Sequence, residues 1–351
     1  MEPNRRPIVG AFLATMLGIG MLGGGAHAEG AKPAVRAPLA PPVKVVVGTI
    51  GSASDVGFFI AADRGYFKDE GLDVHLEFLQ SAAKMVPALA TNDIQVASGG
   101  LNAGLVNAID RDIPLRIVAD KGTLRPGSGY QAFLVRKDLA DKVKDFKDLK
   151  GLKVATSGGL RTIDAIIVRN AVERGGLTLK DVEVVDLAFP EMVTALAKGA
   201  IDVALVIEPF ATTAIGQNSA VRWKSADEVA PNLQIAAVYY GPKFMSEQGE
   251  AAKRFMVAYV RAIRDYNDEM LNKKNPDAVI AVLTKFTRIK DPATYKKIVP
   301  PYIGPNAEVS AASLKTAVDE WASRNLVAKV DVAKLMDDQY LRYAWAQLGK
   351  K

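Results

Sequence analysis

The sequence predicts an α/β protein of two lobes, each a mainly parallel sheet flanked by helices. Three observations carry that reading. The chain has 351 residues, too many for one ordinary core. Two stretches of it run strand, Gly/Ser loop, helix, strand, helix, strand in the same order. Almost everything after residue 247 has helical periodicity. Strand–helix–strand crossovers lay strands side by side in one direction, so each repeat predicts a parallel sheet. With 49% hydrophobic and 24% charged residues, the composition supports a sizeable core.

The first repeat opens with KVVVGT, a β-branched strand from Lys44, then a Gly/Ser loop and a helix through Phe58 and Phe59 that stops at Gly65. A Gly-Tyr-Phe knob between Gly65 and Gly71 precedes a strand of strict alternation. In that strand Leu72, Val74, Leu76 and Phe78 fall on one face, and Asp73, His75 and Glu77 on the other. The knob reads as structural: its glycines permit a helix stop and a tight turn, and Tyr66 and Phe67 pack it down. A helix around Met85 to Ala90 and a strand ending in Gly99 and Gly100 complete the unit.

The second repeat begins at Lys153 with KVATSGGLRTID and has a helix ending at Gly175 and Gly176. A strand from Asp181, a helix through Met192 and the strand IDVALVIEP follow. The two repeats share Ala-Leu-Ala-x-x-x-Ile-x-Val-Ala, from Ala88 in one and Ala195 in the other. RIVADKG reads as a further strand before the turn TLRPGSGY. The extended segments from Gln131 and Leu233 read as the crossings between lobes. Helices are expected over 251–270, 277–286 and 313–324, punctuated by Pro276, Pro292, Pro300 and Pro301.

At the N-terminus, Arg5 and Arg6 precede an apolar stretch over 8–22 and the small-x-small site Ala26-His27-Ala28. This is the pattern of a cleavable secretory signal over 1–28, followed by a Pro-rich flexible leader over 29–42. Asn4 and Pro7 suit ordinary Sec export better than a twin-arginine signal. Without cysteine the chain has neither disulfides nor a lipid-anchored N-terminal Cys, so a free periplasmic protein is expected. The formal net charge of +6 is spread, with no Lys/Arg run longer than two, which argues against nucleic-acid binding.

Taken together, AADRGYFKDEGLDV, ALATNDIQVASGG, DLKGLKVATSGG and ALAKGAIDVALVIEPF resemble the periplasmic solute-binding proteins of ABC importers. The resemblance is to the nitrate/sulfonate/taurine group, which includes thiamine-precursor binders. Asn92-Asp93-Ile94-Gln95 departs from the Gly-Asp-Ile-Asp type of turn usual there. The resemblance implies a type II periplasmic-binding-protein fold with the ligand cleft between lobes. Lobe one is expected over 43–134 and 237–351, with the C-terminal helices, and lobe two over 135–236. It also implies a monomer that binds a small solute and docks on a membrane permease, with no cofactor, metal or nucleic acid.

In parallel sheets ligands sit beyond the carboxyl ends of the strands. Lobe one there offers Ser52, Ser54, Asp55, Gly99, Gly100 and Asn102; lobe two offers Ser157, Gly158, Gly159, Arg161, Thr162 and Glu208. TSGGLRT reads as an anion cradle, with backbone amides at a helix start and Arg161 as a charged fork; the alternative is Arg161 facing solvent. Glu208 either meets a ligand donor or pairs with a basic residue. Phe58, Phe189 and Tyr130 are candidate ring contacts, with Phe59 and Phe210 nearby; each belongs either to the cleft or to a core. The expected solute is a small organic anion, a sulfonate or carboxylate, with a neutral pyrimidine as alternative. A fold-related pyrimidine synthase uses a cysteine-rich motif that this sequence lacks, and neither a Gly-x-Ser-x-Gly elbow nor metal-ligand spacing occurs, so no enzyme is expected.

Overall fold

The computed structural model describes residues 37–351. The expected signal sequence and residues 29–36 of the leader lie outside the described residues.

Lobe one contains β1 (Val43–Thr49), α1 (Val56–Asp63), α2 (Tyr66–Asp69), β2 (Leu72–Phe78), α3 (Ala82–Thr91), β3 (Val96–Gly100), α4 (Ala103–Asp110) and β4 (Arg116–Leu124). Lobe two contains β5 (Gln131–Arg136), β6 (Lys153–Thr156), α5 (Ile163–Arg174), β7 (Glu183–Asp186), α6 (Phe189–Ala197), β8 (Val203–Ile207), α7 (Phe210–Gly216) and β9 (Ala220–Ser225). The chain returns through α8 (Ala226–Val229) to β10 (Leu233–Tyr240). It then runs through α9 (Pro242–Ser246), α10 (Gly249–Tyr266), α11 (Pro276–Phe286), α12 (Pro292–Tyr295), α13 (Ala311–Ser323) and α14 (Gln339–Leu348). Among the described residues, no helix is long and apolar enough to cross a membrane.

The sheets have corresponding orders, β2-β1-β3-β10-β4 and β7-β6-β8-β5-β9. The repeat seen in the sequence is the parallel part of each. β3 pairs β1 through Val47↔Val96 and Gly48↔Ala97, and β8 pairs β6 through Val154↔Val203 and Ala155↔Ala204. One strand per sheet, β10 or β5, is antiparallel to both its neighbours.

Those reversed strands correct the expected boundaries. The segments from Gln131 and Leu233 are interior strands, not crossings, so β5 belongs wholly to lobe two and β10 wholly to lobe one. Their apolar runs, Ala132 to Val135 and Ile235 to Val238, are buried on both faces and need a neighbouring strand on each side. The crossings are instead the polar, Gly/Pro-containing stretches 125–130 and 226–232. They are stitched together: Asn232 N donates to Leu124 O at 2.6 Å, and Gly127 N to Asp227 Oδ2 at 2.9 Å.

One face of the first sheet packs on α1, α10 and α11, where Phe58 packs against Tyr259 with centroids 5.0 Å apart and rings tilted by 32°. The other face shares a core with lobe two that includes α13. Residues 299–307 strap the back of β4, Asp120 N donating to Ala307 O and Thr123 N to Tyr302 O.

The Gly-Tyr-Phe knob is part of lobe one's core. Phe67 is buried and stacks on Phe255 at 4.8 Å, while Arg261 covers the Tyr66 ring at 3.7 Å. The end of the leader is anchored beside it, contrary to the flexible segment expected up to residue 42. Ala37 O accepts a 2.7 Å bond from Arg254, and Leu39 packs onto Gly71. Gly71 has φ +75°, and a Cβ there would lie 2.0 Å from Leu39 N. Gly65 has φ +76° with open space around it. Gly65→Ala therefore carries backbone strain alone, about 1 kcal/mol, whereas Gly71→Ala adds displacement of the leader. Urea unfolding should show the Gly71 variant as clearly the less stable of the two.

Candidate functional site

The lobes meet along their strand-end loops. Ile163 N donates to Leu101 O at 3.0 Å, Asn102 and Thr162 form an antiparallel bridge, and Ala53 N donates to Glu208 O at 3.0 Å. Behind these contacts lies a small cavity lined by residues of both lobes.

Lobe one supplies Ile50, Ser54, Gly100, Lys121, Ile235, Ala236 and the start of α3, Ser81 and Ala82. Lys121 is the buried cation of this wall. Its Nζ lies 2.9 Å from Asp55 Oδ1 and 3.5 Å from Ser52 Oγ, and its side chain is 1% exposed. Asp55 is held in turn by Ser52 N at 2.8 Å, Ser52 Oγ at 2.9 Å and Ser98 Oγ at 2.6 Å. The Ser52-x-x-Asp55 spacing makes this arrangement local, because it caps the short turn at 53–55. A lysine in such a setting needs a partner carboxylate, and Asp55 takes one of its three protons.

Lobe two supplies Gln131, Ser157, Gly158, Thr162, Ile163, Asp164, Phe189 and Ile207, with Tyr130 entering from the crossing. Asp164 stands in the first turn of α5 and is 5% exposed. Its Oδ1 accepts from Gln131 Nε2 at 2.9 Å, and Oδ2 accepts from Ser157 N at 3.4 Å. Burial pushes its carboxyl up to about 6 against these two bonds. Asp120, next to Lys121, is pushed up to about 7 by burial, although Gly122 N and Gln234 Nε2 donate to it. The Tyr130 phenol is driven up by burial and by the negative charge of Asp120, Asp164 and Asp55. Neither the Tyr130 hydroxyl nor Gln131 Oε1 has a hydrogen-bond partner.

The expected site residues divide into three groups. Ser54, Gly100, Tyr130, Ser157, Gly158, Thr162 and Phe189 line the cavity. Ser52, Asp55 and Asn102 support it from behind or at its rim; the Asn102 side chain caps α4 through Leu105 N. Phe58, Gly99, Gly159, Arg161 and Glu208 do not line it. Phe58 is lobe-one core, because α1 buries it against α10. Gly99 lies beneath α3, where a Cβ would meet Ala82 Cβ at 2.4 Å. Arg161 is exposed beside the rim.

The anion cradle expected at TSGGLRT is occupied by the protein's own acids: Gly158 N donates to Asp186 Oδ1 at 2.7 Å, and Ser157 N to Asp164. Gly159 turns onto Asp186 in the same contact. Glu208 is a knot between lobes. It pairs with Arg222, accepts from Thr212 N at 3.0 Å, and is pushed up by burial against the pull of Arg222.

The sequence reading missed Lys121, Gln131, Asp164 and the α3 start. The signal for Lys121 is an Asp-Lys pair inside an otherwise apolar strand, RIVADKG, since such charges are tolerated there only when satisfied. Asp164 carries no such signal, since an acid in the first turn of a helix is common.

Two α/β lobes, joined by two short crossings and enclosing a cavity lined from both sides, define a two-lobed α/β class of protein. The chain belongs to the NMT1/THI5-like family, whose model matches residues 53–269. It is 26% identical over 209 residues to the taurine-binding periplasmic protein of Escherichia coli (strain K12), an alignment covering 58% of this chain and 61% of that protein. It is 22% identical over 244 residues to the formylaminopyrimidine-binding protein of Halalkalibacterium halodurans, covering 69% of each. Its fold is similar to that of the periplasmic nitrate-binding protein NrtA from Synechocystis PCC 6803, with TM-score 0.74, 17% identity and 90% of each chain covered.

Asp164 binds its proton more tightly folded than unfolded, so stability falls as pH rises from the ordinary carboxylate range through about 6. Asp164→Asn mimics the protonated form. Urea unfolding at pH 8 should find it more stable than the parent by on the order of 1–3 kcal/mol, with the difference gone near pH 3.5.

Proposed function

We propose that this chain is an exported, monomeric solute-binding protein that captures a small organic solute bearing a sulfonate or carboxylate between its lobes and delivers it to the permease of an ABC importer. The observation that carries the reading is the buried Lys121 ammonium in the wall of the interlobe cavity, with Ser54 and the start of α3 beside it. An anionic group there gains a charge-assisted bond and the partial positive charge of a helix N-terminus. The taurine and nitrate specificities named for its relatives support an anionic group. Closure by rotation about the crossings is driven by a solute that bonds both walls, because a ligand touching one lobe has no preference between open and closed states. Transport energy comes from the importer's ATPase, and this chain contributes binding rather than catalysis.

A thermal-shift screen across sulfonates, carboxylates, nitrate and neutral heterocycles, with turnover monitored, tests the proposal. A bound anion at a hundred times its Kd should stabilise the protein by about 2.7 kcal/mol. Lys121→Met should weaken that anion by roughly 1.5–3 kcal/mol, while Arg161→Ala leaves affinity unchanged. Stabilisation by neutral compounds alone would overturn the anion reading.

A further inference from the structure

We infer that the solute is a small zwitterion, its anionic group held at Lys121 on lobe one and its ammonium group at Asp164 and Gln131 on lobe two. The inference rests on the solute-binding reading and adds the second half of the recognition.

The cavity has opposite polarity on its two walls. Lobe one presents the Lys121 ammonium, the Ser54 hydroxyl and the first residues of α3. Lobe two presents acceptors. Asp164 spends one oxygen on Gln131 Nε2 at 2.9 Å, and the other receives only a 3.4 Å approach from Ser157 N. A carboxylate accepts about four hydrogen bonds, so it has capacity to spare. Gln131 is fully buried, lines the cavity, and has an unpartnered Oε1. Buried acceptors are almost always satisfied, and an ammonium group, with three protons and no lone pair, satisfies both residues at once.

The charge balance points the same way. Asp55, outside the cavity lining, already opposes Lys121, and Asp164 adds a carboxylate in the cavity wall itself. A simple anion would deepen that negative surplus, whereas a zwitterion puts its cationic end against it. Between the poles, Ile163, Ile207, Ile235 and Phe189 present apolar surface that suits a short hydrocarbon spacer. The two ends also engage different lobes, as ligand-driven closure requires.

Calorimetric titration with matched pairs tests this: taurine against ethanesulfonate, β-alanine against propionate, and 4-aminobutyrate against butyrate. At least one amino member should bind tenfold or more tightly than its amine-free partner. Asp164→Asn, nearly the same shape, should abolish that preference while keeping a cooperative melt. The wild-type comparison decides the matter even where the variant misfolds. Amine-free acids binding as tightly as their partners would overturn the inference while leaving anion capture standing. So would a preference unchanged in Asp164→Asn, or silence across all three pairs while other anions bind. A neutral pyrimidine bound equally by the parent and Lys121→Met would overturn both readings.

Discussion

The ammonium group of Lys121 can sit inside this protein because Asp55 meets it at 2.9 Å. A buried lysine without a counter-charge would be forced toward neutrality, and a buried aspartate without donors likewise. Asp55 is fixed by Ser52 and Ser98, so the pair is oriented by the loop after β1 and by strand β3. That arrangement places a positive group deep in the interlobe space while its own lobe stays well packed. The loop that holds Asp55 also touches the other lobe, through Ala53 N and Glu208 O. Charge placement and lobe contact are thus consequences of the same few residues.

The repeated βαβαβ unit explains how such a site arises twice over and differently. Each lobe turns the carboxyl ends of its parallel strands toward the other, where loops are free to vary without disturbing the sheet. In lobe one the loop after β1 holds Asp55 against Lys121 of β4; in lobe two the corresponding loop spends its amides on Asp186 and Asp164 and leaves a carboxylate facing inward. The Glu208–Arg222 pair has a different role. Buried at the end of β8, it ties strand, α7 and the neighbouring segment at Val299 together, a positional task rather than a recognition one.

Much of the fold was legible in the residues. Period-two alternation marked β2, Gly/Ser punctuation marked the loops, and the shared Ala-Leu-Ala pattern marked the repeat. The reversed strands are ambiguous in sequence because a short apolar run looks the same whether it bridges lobes or fills a sheet; only its neighbours distinguish the two. Loop residues such as Ser54, Gly100 and Ser157, which line the cavity, are legible because strand ends are predictable. The places of Lys121 and Asp164 in that lining are not, because side-chain direction within a strand or helix turn depends on tertiary packing. Arg161 illustrates the converse: its charge suited an anion, but its place in the turn after Gly158 and Gly159 carries it outward.

The crossings at 125–130 and 226–232 give the molecule its lever geometry. Lys121, Tyr130, Gln131, Ile235 and Ala236 lie within a few residues of those pivots, whereas Asn102 and Thr162 stand at the far rim. For any swing about the pivots, displacement grows with distance from the axis. In the proposed closure the floor of the chamber would keep nearly constant dimensions while the rim travels. A solute would then be measured by a gauge set before the mouth shuts, with selection and sealing at opposite ends of the same arm.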